Sequence, residues 1–278
     1  MKRLFAAVLC LCLLTGCGQA NTGDICWAEE GPGGGASVKT ETPGQNAGGG
    51  GDTFRVIQSE GGGAPLLLAK ADSGPGDIYT LSPVTVEPTL DGESTAAMDL
   101  VYTPGTLLEV TYGSALEIYP ARLAEVTAVN IRSDGFDDRC ALYLRVLNDL
   151  WTVDEGLNGD VTAISVDLSQ TSLTESEQAA VAWAFGGEHG ISEVLSMDYA
   201  RLVAEGYIAG TDPDSDGIPC WENGCLFTIT EQETGDTVTF DAQKWRSALG
   251  AYFFCDCTAS RDRNGHWGDY TVGSEAIS

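Results

Sequence analysis

The stretch DPDSDGIPCWE, residues 212 to 222, has the spacing nearest to a chemical function. A hard cation needs several oxygen ligands converging on one point, and alternate aspartates around a tight turn supply them. Asp212, Asp214 and Asp216 stand at loop positions one, three and five, Gly217 gives the turn at six, and the Ile218 carbonyl falls at seven. The closing acid is displaced, because position twelve is Asn223 and Glu222 sits at eleven. Such a site is weak, in the range of about 10⁻⁴–10⁻³ M that serves extracellular modules. Calcium is therefore the one cofactor the sequence suggests, as a brace rather than a catalyst, on Asp212, Asp214, Asp216, Ile218 and Glu222. The competing reading is a solvated acidic turn.

A second cluster holds Lys244, Trp245, Arg246, Arg261, Arg263, His266 and Trp267, in a chain with 41 acidic and 14 basic residues. Cations beside aromatic faces suit an anionic or sugar ligand. Lys244, Arg246, Arg261, Arg263 and Trp267 are accordingly the candidate ligand-binding residues. The alternative is a pair of arginines flanking an exposed hairpin while the tryptophans pack inside. Trp151 and Trp183 lie on apolar helix faces and read as core.

Enzyme signatures are absent: there is no G-x-S-x-G elbow, no H-E-x-x-H and no phosphate-binding loop. A serine or cysteine nucleophile would need His189 or His266 as its base. The first sits at an expected helix end and the second at an expected hairpin tip, so no catalytic residue is assigned.

At the amino end, Lys2 and Arg3 precede an apolar run from Leu4 to Leu14. That run is shorter than the roughly 20 residues a membrane span requires, and it fits a secretory signal segment. Leu14-Thr15-Gly16-Cys17 resembles the bacterial lipobox. The resemblance implies a signal peptide of residues 1–16 and a diacylglyceryl thioether on Cys17, whose acyl chains anchor the protein by burial of methylenes. Losing Lys2 and Arg3 with the leader takes the formal charge from −27 to −29. Such acidity disfavours nucleic acid and anionic lipid, so the membrane is a partner only through the anchor. An exported chain also favours disulfides, with Cys26, Cys140, Cys220, Cys225, Cys255 and Cys257 as candidates.

Residues 17–52 form a glycine-rich tether, GPGGGA and AGGGG among them, with a reach of roughly 30 Å. From 53 to 132, short alternating runs divided by Gly, Pro and Asp-Gly predict a small β domain. From 133 to 278 the pattern mixes helix and strand. A helix is expected over Asp138–Trp151 with Cys140, Leu144, Leu147 and Trp151 on one stripe, and a strand over Asp160–Leu168. Ser172 or Thr174 caps a helix ending at Gly186-Gly187, and Ser196 caps another. Asp241–Leu249 fits helix or strand, and Arg263-Asn264-Gly265-His266 is a hairpin signal. The fold class is α+β: a small OB-like β-barrel domain, then an α+β domain with helices packed on an antiparallel meander.

Within residues 105 to 131, Gly105, Tyr112-Gly113 and Tyr119-Pro120-Ala121 carry a resemblance to the closing half of a β domain found in short Gram-positive lipoproteins and secreted proteins. The function of that family is unknown; the resemblance implies the OB-like barrel and no catalytic residue. Arg122 stands where the family usually has glutamine. The acidic loop is similar to a short extracellular bacterial calcium motif, with Cys220 matching and Trp221 in place of its glutamate.

These observations predict a lipid-anchored protein on the extracytoplasmic face of a bacterial membrane. It acts as a non-enzymatic binding or assembly module for an unknown protein or glycan partner. The alternative is a secreted-side, carboxylate-based hydrolase braced by calcium. A transport-associated solute receptor is a third reading, against which stands the lack of a long repeated βα pattern.

Overall fold

Leu108 and Val110 are fully buried while Glu109 and Thr111 face outward, the period-two signature of a half-buried strand. Segments of this kind, separated by turns, build the first sheet. They are β1 (Asp52–Gln58), β2 (Leu66–Lys70), β3 (Ile78–Leu81), β4 (Thr89–Leu90), β5 (Glu93–Ser94), β6 (Leu107–Thr111), β7 (Ser114–Leu116), β8 (Ala121–Ala124) and β9 (Ala128–Arg132). A single helical turn, α1 (Met98–Val101), lies between β5 and β6. The computed structural model describes residues 51–59, 64–71, 73–211, 217–233 and 235–278. The leader, Cys17, Cys26 and nearly all of the tether lie outside them.

The strand order is β5-β4-β9-β6-β1-β2-β3-β8-β7. The expected closure into a barrel is corrected: β5 and β7 end the sheet, and no ladder joins them among the described residues. One face buries Phe54, Val56, Leu66, Leu68, Leu108, Val110 and Ile131 against one another. Burial of each such side chain contributes about 1.5–3 kcal/mol. The other face carries Ile57, Leu67, Ala69 and Ile78, which share a core with the helices that follow.

Those helices are α2 (Arg139–Thr152) and α3 (Glu175–Glu188), with a short 3₁₀ turn at Glu155–Asn158 between them. The strand β10 (Ala163–Gln170) also intervenes; β11 (Glu193–Leu195), α4 (Tyr199–Ala204), β12 (Gly224–Glu233), β13 (Thr237–Ser247), β14 (Gly250–Ser260) and β15 (Ser274–Ile277) complete the chain. The α+β class holds. The second sheet runs β11-β10-β12-β13-β14-β15. From β12 to β15 it is the expected antiparallel meander, but β10 lies parallel to both β12 and β11, so the sheet is mixed. The helix between β10 and β11 is the crossover that a parallel pair needs. The helices thus share one core with the first sheet on one side and the second sheet on the other. A smaller cluster of Leu202, Ile208, Trp221, Leu226 and Trp245 covers the far face of the second sheet.

Local chemistry accounts for the ends of α3. Thr174 and Glu177 form a reciprocal capping box, which typically stabilises by about 1 kcal/mol. The helix ends at Glu188, one residue past the expected Gly186-Gly187, and Gly190 takes the left-handed conformation beyond it. Gly186 serves packing instead. A Cβ there would sit 2.3 Å from Val194 Cγ2 on β11. The cap of α4 is Asp198, which accepts from the Arg201 N–H, and not Ser196. Residues 241–247 are strand, since β13 pairs with β12 and β14 along its length.

Of the disulfide candidates, Cys140, Cys220, Cys225, Cys255 and Cys257 are unbridged in this structure, and Cys26 lies outside the described residues. Cys225 lies opposite Ile164, Cys255 opposite Ser274 and Cys257 opposite Phe240, while Cys140 is on α2. Burial pushes the thiols of Cys225 and Cys257 up to about 11 and about 12, so both are poor nucleophiles.

Candidate functional site

Four residues from four strands form one row across the first sheet. Gln58 on β1 pairs with Leu67 on β2, Leu67 with Thr80 on β3, and Thr80 with Arg122 on β8. Directly paired residues place their side chains on the same face, and Leu67 belongs to the face covered by the helices. The row therefore reads amide, methyl, hydroxyl, guanidinium over three strand spacings, about 14 Å.

The helix α3 lies over this row. Ser176 Oγ donates to the Lys70 carbonyl at 2.6 Å, and Arg55 pairs with Glu177 at 2.5 Å, which docks the start of the helix on β1 and β2. At its other end Trp183, Ala184, Gly187 and Glu188 face Gln58, Leu67, Thr80 and Pro65 across an open cleft of about 260 Å³. Gly187 lines the cleft, and a Cβ there would point into open space, with nothing within 4 Å. Tyr119, from the turn before β8, is exposed and meets Trp183 edge to face at 5.3 Å.

The polar end of the cleft is pre-ordered. Gln58 Nε2 donates to Glu188 Oε1, and Asn148 Nδ2 donates to Glu188 Oε2, each at 2.6 Å. Each carboxylate oxygen retains a lone pair for a further donor. Behind Glu188, Asn148 Oδ1 meets His189 Nε2 at 2.7 Å, and the imidazole stacks on Trp151 at 4.2 Å. Burial lowers the pKa of His189. One strand beyond Thr80, next to the lining rather than in it, Arg122 is exposed and has no ion pair or side-chain hydrogen bond among the described residues.

The residues singled out by sequence occupy other places. Lys244 is fully buried, and its Nζ faces the carbonyls of Trp151, Val153 and Asp154 and the Asn158 Oδ1 at 2.5–3.4 Å. Arg246 donates to the carbonyls of Leu157, Gly159 and Glu222. Both brace the turn after α2. Arg261 lies near the opposite end of β13, where its N–H reaches the Asp236 carbonyl; eight residues of strand, roughly 25 Å, separate it from Lys244. There Arg261 and Arg139 both sit over the Trp267 ring, at 5.1 and 4.7 Å, while Asp137 accepts from Trp267 Nε1 and pairs with Arg261. Arg263 is exposed on the adjoining turn. The five residues are therefore not one cluster.

Asp212, Asp214 and Asp216 lie outside the described residues. Their loop has a closed stem, since Ala209 and Cys220 exchange backbone hydrogen bonds at 3.0 Å. Gly210 has φ +74°, and a Cβ there would sit 2.5 Å from the Ile218 carbonyl oxygen. Ile218 and Glu222 are exposed. Among the described residues, no group of three or more His, Cys, Asp or Glu is arranged to hold a metal.

No family model matches this chain. No curated protein and no solved structure matches it either. The cleft must be read from its own chemistry.

Its lining offers one carboxylate, Glu188, and one hydroxyl, Thr80, which points to the Ala121 carbonyl at 3.5 Å. That is neither the carboxylate pair of a hydrolase nor a hydroxyl activated by a base. What it can do is hold a small ligand: an indole, a fixed acceptor pair and an amide line one opening, and Arg122 follows Thr80 one strand further along the same row. Trp151 and Trp183, both expected in the core, are each half-buried and packed against its edge. The apolar helix face around Trp183 was the available signal, but nothing in the sequence showed that the end of α3 stands open over β1–β3.

Proposed function

We propose that this chain is a lipid-anchored extracytoplasmic protein that acts by binding, with a small ligand held between α3 and the Gln58–Leu67–Thr80–Arg122 row. One observation carries the reading. Glu188 is fixed by two amide donors beside a half-buried indole, in a cleft whose lining has no nucleophile paired with a base. The lipobox ending in Cys17 supports the anchor, and the formal charge of −27 supports the exclusion of nucleic acid.

The OB-like character of residues 53–132 belongs to this proposal, through the Tyr119-Pro120-Ala121 step that brings Tyr119 to the cleft. Calcium belongs to it as a brace on Asp212, Asp214 and Asp216, supported by the closed stem of their loop. The free partner, protein or glycan, would present the small group that enters the cleft.

The test has two parts. Mass spectrometry of the native amino-terminal peptide should give a diacylglyceryl group on Cys17; an intact initiator methionine overturns the anchor. A small-molecule screen observed through the indole N–H resonances should give ligands that move the Trp183 signal and leave the molecule chemically unchanged. Turnover of such a ligand, or a screen that never moves Trp183, overturns the binding reading.

A further inference from the structure

The pattern of groups around the cleft narrows the ligand. We propose that it takes an acidic sugar unit, a pyranose ring carrying a carboxylate, with the ring against Trp183 and the carboxylate on Arg122. This rests on the reading of the cleft as a binding site.

Size comes first. A volume of about 260 Å³ is below the range of roughly 300 Å³ and upward that takes drug-sized molecules, and it suits a single ring. The walls come second. Trp183 and Tyr119 supply apolar aromatic surface at one side, while Glu188, Gln58 and Thr80 supply polar atoms at the other. A ligand with C–H groups on one face and hydroxyls at its edge satisfies both. The two oxygens of Glu188 each hold one amide proton already, so they are aimed to accept from neighbouring hydroxyls.

Charge decides the remaining choice. Of the described arginines and lysines, only Arg122 and Arg263 have no ion pair or side-chain hydrogen bond. Arg122 stands beside Thr80 in the row beneath the cleft, between Thr80 and Leu116, in a chain with 41 acidic residues. A guanidinium is shaped for bidentate pairing with a planar oxyanion. The Arg122 backbone stands about three strand spacings, roughly 14 Å, from that of Gln58. A sugar ring can thus meet Glu188 with its hydroxyls and still send a carboxylate the opposite way, clear of that acid.

The experiment uses the full mature chain with D-glucuronate, D-glucose and benzoate as probes, followed by calorimetry and by the Trp183 indole resonance. The expected result is that glucuronate moves Trp183 and binds about tenfold more tightly than glucose or benzoate, the contribution of one charge-assisted pair. Arg122→Gln, at an exposed position, should bring glucuronate down to the glucose level, and Glu188→Gln should weaken both sugars but not benzoate. Benzoate binding as tightly as glucuronate overturns the sugar assignment and leaves the binding reading standing. The sugar assignment also falls, with binding intact, if none of the three moves Trp183 while another compound does. If no compound moves Trp183, both fall.

Discussion

Arg55 Nε meets Glu177 Oε1 at 2.5 Å, across 122 residues of sequence. Both side chains are largely buried, and each is committed twice. Arg55 also donates to the Gly105 and Gly135 carbonyls, and Glu177 also accepts from the Thr174 N–H as half of the capping box. One ion pair therefore joins the first sheet to the helix layer and fixes the start of α3. Breaking a buried pair leaves the partner uncompensated. Arg55→Met is expected to cost about 2–4 kcal/mol in chemical denaturation. Tryptophan fluorescence and far-ultraviolet dichroism should fall together, because the shared core leaves neither segment its own transition. Two separated transitions would show residues 53–132 and 133–278 to be independent folding units.

Adjacent glycines on α3 should respond in opposite directions. Gly186→Ala puts a methyl against Val194 and the Ile191 carbonyl, and overpacking of this kind costs about 1–3 kcal/mol. Gly187→Ala meets nothing within 4 Å and gains roughly 1 kcal/mol of helix propensity. The stabilised variant should nevertheless bind less well, because its methyl enters the cleft. Equal effects of the two substitutions on the unfolding midpoint would contradict the packing described.

Lys244 replaces solvent for the end of α2. Its ammonium reaches three carbonyls and one amide oxygen in a fully buried site, and burial lowers its pKa. Lys244→Met keeps the bulk and removes every donor. Buried acceptors left without partners cost about 1–3 kcal/mol each, so the variant should lose roughly 2–4 kcal/mol. Hydrogen exchange should rise first around residues 151–158. Unchanged stability would mean that water replaces the ammonium at no cost.

The legible parts of this molecule were those decided by neighbours in sequence. The stripe of Cys140, Leu144 and Leu147, the Thr174–Glu177 cap and the turn at Gly265, which has φ +88°, needed only local periodicity and backbone sterics. Sheet topology was less legible. A parallel entry of β10 beside β12 depends on where α3 packs, and no local signal distinguishes it from an antiparallel one. The site was least legible of all. Gln58, Leu67, Thr80 and Arg122 are chemically ordinary, and only registry across four strands makes them a row. Conversely, Lys244 and Arg246 looked available because charge is visible in sequence, whereas the carbonyls that occupy them are not.

His189 sets a pH dependence whose sign can be worked out. Its ring is stacked on Trp151, lies edge-on to Phe185 and is bonded through Nε2 to Asn148 Oδ1, with Glu188 reached only through that amide. Burial holds the folded pKa below the ordinary 6.5, so the native state resists the proton more than the unfolded chain does. Between the depressed folded pKa and 6.5 the unfolded chain binds more protons, and stability rises with pH there. Above 6.5 neither state is protonated and the penalty vanishes; below the folded pKa it is complete. The thermal midpoint of the mature chain should therefore decline from pH 7 to pH 5. His189→Gln keeps an amide donor near Asn148 but cannot titrate, so its decline over the same interval should be shallower. Parallel curves for the two proteins would show that the imidazole carries no such linkage, and that the acid sensitivity arises elsewhere.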